Sequence, residues 1–173
     1  MGIVPIENPI ILLVEDCEND ALLMRTAFRR VGFALPLQFA NDGDEAIAYL
    51  RGDGVYDDRD RFPLPTAVLL DLKMPRKDGF AVLEWINSQQ ALEKLSVYVL
   101  TASSRPEDIK RARDLGANCY LVKPTSLDEL MDLAKSLLVS LNSGDLVPLE
   151  AANGNHDRPS MRWFFTSKRH AKA

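Results

Sequence analysis

A chain of 173 residues with 46% hydrophobic and 27% charged side chains has the composition of an ordinary globular protein and enough apolar material for one substantial core. No window approaches the roughly 18 to 20 consecutive apolar residues of a membrane span, and Met1 to Pro9, MGIVPIENP, lacks the basic flank and long apolar core of a secretory signal; the cytoplasm is the expected compartment. In residues 142–173, Asp145, Glu150 and Asp157 stand against Arg158, Arg162, Lys168, Arg169 and Lys172; this leaves the tail at +2 and, from a total of −4, the body at −6, a balance that argues against general nucleic-acid binding.

In chain order, short continuous apolar runs alternate with amphipathic segments. The runs are Ile10 to Val14, Leu37 to Ala40, Ala67 to Leu70, Val97 to Leu100 and Ala117 to Val122. Strands buried on both faces read this way, so five strands of a parallel sheet are expected. After the first run, Leu23, Met24, Ala27, Phe28 and Val31 share a helical face that stops at Gly32. Ala46, Ile47 and Leu50 make a second face, and Val82, Leu83 and Ile86 a third. Ser104 with Glu107, and Ser126 with Glu129, have the spacing of capping boxes for a fourth and a fifth helix. The last helix carries a long stripe from Leu127 to Leu141.

Strand then helix, five times, gives a doubly wound α/β sheet, for which five strands favour the order 2-1-3-4-5. One domain is expected over residues 8–141. Arg51 to Pro65, RGDGVYDDRDRFPLP, is long for a helix-to-strand connection and predicts an exposed, partly mobile loop. From residue 142 the periodicity ends, and 142–173 reads as a tail with no core of its own. Its end, RPSMRWFFTSKRHAKA, mixes basic and aromatic residues and is too short for a helix-turn-helix. Cys17 and Cys119 are too few and too far apart for a disulfide framework or a zinc site.

Four of the five runs end in polar residues: Glu15 and Asp16, Asp71, Thr101, and Lys123. In an open α/β sheet the carboxyl ends of the strands open into the crevice where ligands bind. Three carboxylates brought together there cannot all ionise comfortably without a cation between them. A hard divalent ion such as Mg²⁺ meets that need with oxygen ligands, and the two histidines, His156 and His170, both lie in the tail. Taken singly, Glu15 and Asp16 also suit the dipole at the start of the first helix, Thr101 suits any strand, Tyr120 suits a core, and Arg76 and Lys77 read as solvated charges.

Together, VED at Val14 to Asp16, LLDLKMPRKDG at Leu69 to Gly79, LTA at Leu100 to Ala102 and YLVKP at Tyr120 to Pro124 resemble the receiver domain of two-component response regulators. The resemblance implies a flavodoxin-like fold in which Asp71 accepts a phosphoryl group from a phosphohistidine on a sensor histidine kinase. It implies Mg²⁺ held by Asp16, Asp71 and the Lys73 carbonyl, with Glu15 acting mostly through water. Lys123 would pair with the phosphoryl oxygens, helped by Thr101 and by the N–H groups of Leu72 and Ala102. Lys123 would be aimed by a cis bond to Pro124, and Tyr120 would turn inward as Thr101 is drawn to the phosphate.

The module implied is a stand-alone signalling receiver with slow self-dephosphorylation, not a metabolic enzyme. It would signal through the fourth helix, fifth strand and fifth helix, by a homodimer or a kinase complex, with no nucleic acid and no membrane. PRKDG, NCY at Asn118 to Tyr120 and the long loop before the third strand further resemble small regulators paired with bacterial phytochromes. A haloacid-dehalogenase-type phosphatase would need a second aspartate two residues after Asp71, where Lys73 stands. A flavodoxin-like cofactor binder would need a Ser/Thr-rich phosphate loop after the first strand, which is missing.

Overall fold

Alternation along each strand explains why these runs pair as they do. Side chains of a strand point to opposite faces in turn. Leu12 and Val14, Val68 and Leu70, Val97 and Val99, and Tyr120 all pack into one hydrophobic cluster, while Ile11 and Leu13, Ala67 and Leu69, Tyr98 and Leu100, and Cys119 and Leu121 pack into another on the opposite face. Both faces are therefore apolar and both are covered by helices.

The computed structural model describes residues 9–32, 36–143 and 164–165. Its elements in order are β1 (Ile11–Val14), α1 (Glu18–Arg30), β2 (Leu37–Ala40), α2 (Gly43–Arg51), β3 (Ala67–Leu70), α3 (Gly79–Ser88), β4 (Ser96–Thr101), α4 (Pro106–Asp114), β5 (Cys119–Val122), α5 (Leu127–Ser143) and β6 (Phe164–Phe165). The first five strands are parallel in the order β2-β1-β3-β4-β5, as the strand-helix alternation predicts. Leu13 of β1 lies between Phe39 of β2 and Leu69 of β3, which puts the ends of β1 and β3 side by side at the centre of the sheet. No helix among the described residues is long and apolar enough to cross a membrane.

Three local features depart from the sequence reading. First, β6 pairs antiparallel with β5, Phe164 opposite Tyr120 and Phe165 opposite Cys119. Two residues carry no periodicity to read, and the rest of the tail from residue 144 lies outside the described residues, as does the expected domain start at residue 8. Second, Ser104 does not cap α4. The helix starts at Pro106, whose fixed φ suits the first helical position, with Arg105 as the cap residue, and Ser103 instead donates its hydroxyl to Asp108 at 2.5 Å. The Ser126 cap of α5 is present, with Glu129 N–H donating to its hydroxyl at 3.2 Å.

Third, the segment between α2 and β3 is tied down. Arg59 donates to the carbonyls of Tyr49, Leu50 and Phe62 at 2.9, 3.0 and 3.1 Å, joining the Gly52 N–H at the Tyr49 carbonyl and tying the last turn of α2 to the loop. Tyr49, Tyr56 and Phe62 stack around each other with ring centroids 5.0 to 6.0 Å apart, and Tyr49 donates its hydroxyl to the Pro63 carbonyl at 2.9 Å. Val55 and Leu64 are exposed, as expected of a loop. The aromatic residues are spaced too irregularly for a periodicity argument to see the cluster. Replacing the guanidinium while keeping most of the side-chain volume, Arg59→Met, removes these three hydrogen bonds and is expected to lower stability by about 1–3 kcal/mol in urea denaturation.

Candidate functional site

The site forms where β1, β3, β4 and β5 end. The backbone builds it first: Asp71 N–H donates to the Val14 carbonyl at 3.0 Å, and Lys123 N–H to the Thr101 carbonyl at 2.8 Å, so the ladders continue one residue past each strand into the polar cluster. The chain then turns back through Leu72 to Asp78. Gly79 N–H donates to the Leu72 carbonyl at 3.1 Å, and a Cβ on Gly79 would sit 2.2 Å from the Asp71 carbonyl oxygen. Only glycine permits that approach. Asp78 caps α3 by accepting from Ala81 N–H at 2.9 Å.

Lys123 is the hub. Its Nζ lies 2.7 Å from Glu15 Oε2, 2.8 Å from Asp71 Oδ2 and 2.9 Å from Asp20 Oδ2, so its three donors meet three carboxylates. Burial alone would lower the pKa of the ammonium, but hydrogen bonds to Asp71, Glu15 and Asp20 outweigh it and hold the lysine above its ordinary value. Burial raises the Glu15 carboxyl; Lys123 opposes this and the neighbouring Asp71 charge adds to it. The other oxygen of Asp71, Oδ1, accepts from Lys73 N–H at 3.1 Å, and Glu15 Oε1 accepts from Cys17 N–H at 3.1 Å. Lys73 thus enters through its backbone while its side chain is exposed.

Glu15, Asp16 and Asp71 each offer a carboxylate oxygen within 4.8 Å of the others; Glu15 and Asp71 are buried and Asp16 is exposed. Three hard oxygens around a common point, with no sulfur or imidazole among them, fit Mg²⁺ or Mn²⁺ rather than zinc. Thr101 is fully buried at the end of β4. Tyr120 lies inside the fold, its hydroxyl donating to the Ser103 carbonyl at 3.0 Å, and burial pushes its pKa up to about 12. The structure brings Glu15, Asp16, Asp71, Lys123 and the Lys73 N–H together, while the Thr101 hydroxyl and Tyr120 meet Ser103 in the connection after β4.

Several details differ from expectation. The Lys123–Pro124 bond is trans, since there is no cis peptide bond among the described residues. Lys123 is aimed instead by its backbone bond to Thr101 and by the three carboxylates. Asp20, in the first turn of α1 and four residues after Asp16, is not singled out by the sequence; the fold sets it beside Lys123. Arg76 and Lys77 are not free charges: Arg76 pairs with Asp42, the cap of α2, and Lys77 with Asp44 at 2.8 Å. Arg76 takes a left-handed φ of 64°, an uncommon conformation for a non-glycine residue. The two pairs fasten the loop after Asp71 to the start of α2.

Comparison with known proteins adds a decisive observation: residues 11–135 match the response regulator receiver domain. The chain belongs to that family. The receiver is 42% identical over 125 residues to a probable methanogenesis regulatory protein, FilR2, of Methanothrix harundinacea, covering 72% of this chain and 78% of that one. It is 35% identical to response regulator Rcp1 of Synechocystis, over 75% of this chain and 88% of that one, and it resembles the crystal structure of the Mn²⁺-bound form of response regulator Rcp1 with a TM-score of 0.70 at 32% identity, over 81% and 99% of the two chains. The structure of the phosphorylated cyanobacterial phytochrome response regulator RcpA gives a TM-score of 0.73 at 34% identity, over 82% and 99%. The receiver is a two-component signalling module, with its acidic pocket where receivers bind Mg²⁺ or Mn²⁺.

The close packing behind Asp71 generates an expectation. Gly79→Ala forces the Asp71 and Leu72 backbone to shift, with an expected loss of about 1–3 kcal/mol in chemical denaturation.

Proposed function

We propose that this chain is a stand-alone response regulator that takes a phosphoryl group on Asp71 from a sensor histidine kinase, a phytochrome among the candidates, and signals by a change of surface. The observation that carries the reading is Lys123 Nζ at 2.8 Å from Asp71 Oδ2 within a cluster of carboxylates at the strand ends. The coverage of nearly the whole of RcpA and Rcp1 by this chain supports the stand-alone architecture, and the printed description of RcpA as a phytochrome response regulator supports the partner.

In this reading an Asp71 oxygen attacks phosphorus, the P–O bond forms as the P–N bond of the phosphohistidine breaks, and the charge of the transferred group is met by protein donors. Lys123 supplies the cation, Thr101 a hydroxyl, and Leu72 and Ala102 backbone N–H groups. Transfer of this kind depends chiefly on position and charge neutralisation. Asp16, Asp71 and the Lys73 carbonyl would hold Mg²⁺, with Glu15 acting through water; the ion would supply neutralisation of charge on the phosphoryl oxygens. Slow dephosphorylation by water would reset the site.

The output belongs to the same proposal. The inward Tyr120, tied to Ser103 in the connection to α4, links the end of β4 to α4 and β5. A partner or a second copy would read α4, β5 and α5. The cytoplasm is the compartment in which this exchange would run, without nucleic acid and without membrane.

Acetyl phosphate with Mg²⁺ is expected to add one phosphoryl group to the purified protein, read by mass spectrometry. Asp71→Asn should gain none, and equal labelling of that variant would overturn the assignment. Mg²⁺ affinity, followed by calorimetry, is expected to fall about tenfold or more in Asp16→Ala, the loss of a charged ligand oxygen, and by less in Glu15→Ala. Unchanged affinity in Asp16→Ala would leave that carboxylate with only the dipole of α1 to serve.

A further inference from the structure

Asp20 is a partner of Lys123 that the roles above leave unused. We infer that Asp20 is a positioning residue that occupies one donor of Lys123 until a phosphoryl group takes it, so that its carboxylate competes with the phosphoryl group for the lysine. The inference rests on Asp71 being the acceptor.

An ammonium has three N–H donors, and here Glu15, Asp71 and Asp20 take one each. A phosphoryl group on Asp71 brings three strong acceptor oxygens and about 1.5 to 2 negative charges, more than the single donor already facing Asp71 can serve. Thr101 and the backbone N–H groups meet some of these oxygens; a second donor from the ammonium itself can be released only by Glu15 or by Asp20.

Exposure decides which one yields. The Glu15 side chain is 4% exposed, whereas that of Asp20 is 43% exposed. A buried carboxylate that loses its partner bears the full cost of desolvation, while a half-exposed one is taken up by water. Asp20 is therefore the partner that lets go. It also carries a negative charge facing the lysine that the phosphoryl group must claim, so removing that charge favours the phosphoryl group twice over: it frees a donor and removes a repulsion.

The experiment is titration of the full chain with beryllofluoride, a mimic of the phosphoryl group, at saturating Mg²⁺, read by calorimetry. Asp20→Asn is expected to bind beryllofluoride about two- to fivefold more tightly than the unaltered protein, the range set by a half-exposed ion pair. Asp20→Glu, which keeps the charge and can still reach Lys123, should restore the original affinity. Glu18→Gln removes an acid from the same first turn of α1 without touching Lys123, and should leave the affinity unchanged. A merely structural role of Asp20 at the helix start would move thermal stability and leave the beryllofluoride affinity where it was. Equal or weaker binding by Asp20→Asn, or an equal gain in Glu18→Gln, overturns the inference while the phosphoacceptor reading stands. Failure of the unaltered protein to bind beryllofluoride overturns both.

Discussion

One ammonium among carboxylates is the constraint around which the site is organised. Buried carboxylates at adjacent strand ends repel one another, and without Lys123 the ends of β1 and β3 would set Glu15 against Asp71 in a place that water barely reaches. The sheet forces that proximity, because β1 and β3 are neighbours in the order β2-β1-β3-β4-β5. The same order places β5 two positions from β3 and three from β1, and the length of a lysine side chain is what closes the distance. Fold and chemistry are thus coupled through one residue, whose backbone is fixed by Thr101 and whose head is fixed by acids.

Around that hub the loops are held by polar ties of different kinds. The loop after Asp71 is fastened twice to α2, through Arg76 with Asp42 and Lys77 with Asp44, and is pressed against the Asp71 backbone at Gly79. The connection after β4 is fastened through Ser103, which meets Asp108 by its hydroxyl and Tyr120 by its carbonyl. These ties give the site a firm floor while its mouth, with Asp16 and Asp20, stays open to water. A site that must admit a bulky donor and then hold a small group needs both.

The sequence made the framework legible because the two signals involved are strong. Continuous apolar runs that end in acid, acid, hydroxyl and amine mark strand ends directly, and Asp71, Lys123, Thr101, Glu15 and Asp16 followed from that pattern alone. Harder to read was anything that depends on two irregular stretches meeting. Asp20 looks like an ordinary first-turn acid until Lys123 is seen beside it. Arg59 looks like one more charge in a polar loop, because nothing in the spacing shows that α2 leaves its last carbonyls facing it. Strand β6, two residues long, falls below the length at which alternation means anything.

The division of the core into two clusters has a further consequence. Each strand residue belongs to one face of the sheet or the other, Tyr120 to the face of α2, α3 and α4, Cys119 and Leu121 to the face of α1 and α5. A packed interior tolerates exchange of apolar side chains so long as its own volume is conserved. The two halves can therefore accumulate substitutions on separate accounts, one half drifting while the other is held. A lineage could reshape the packing beneath α1 and α5 without disturbing the packing that carries Tyr120, and the reverse.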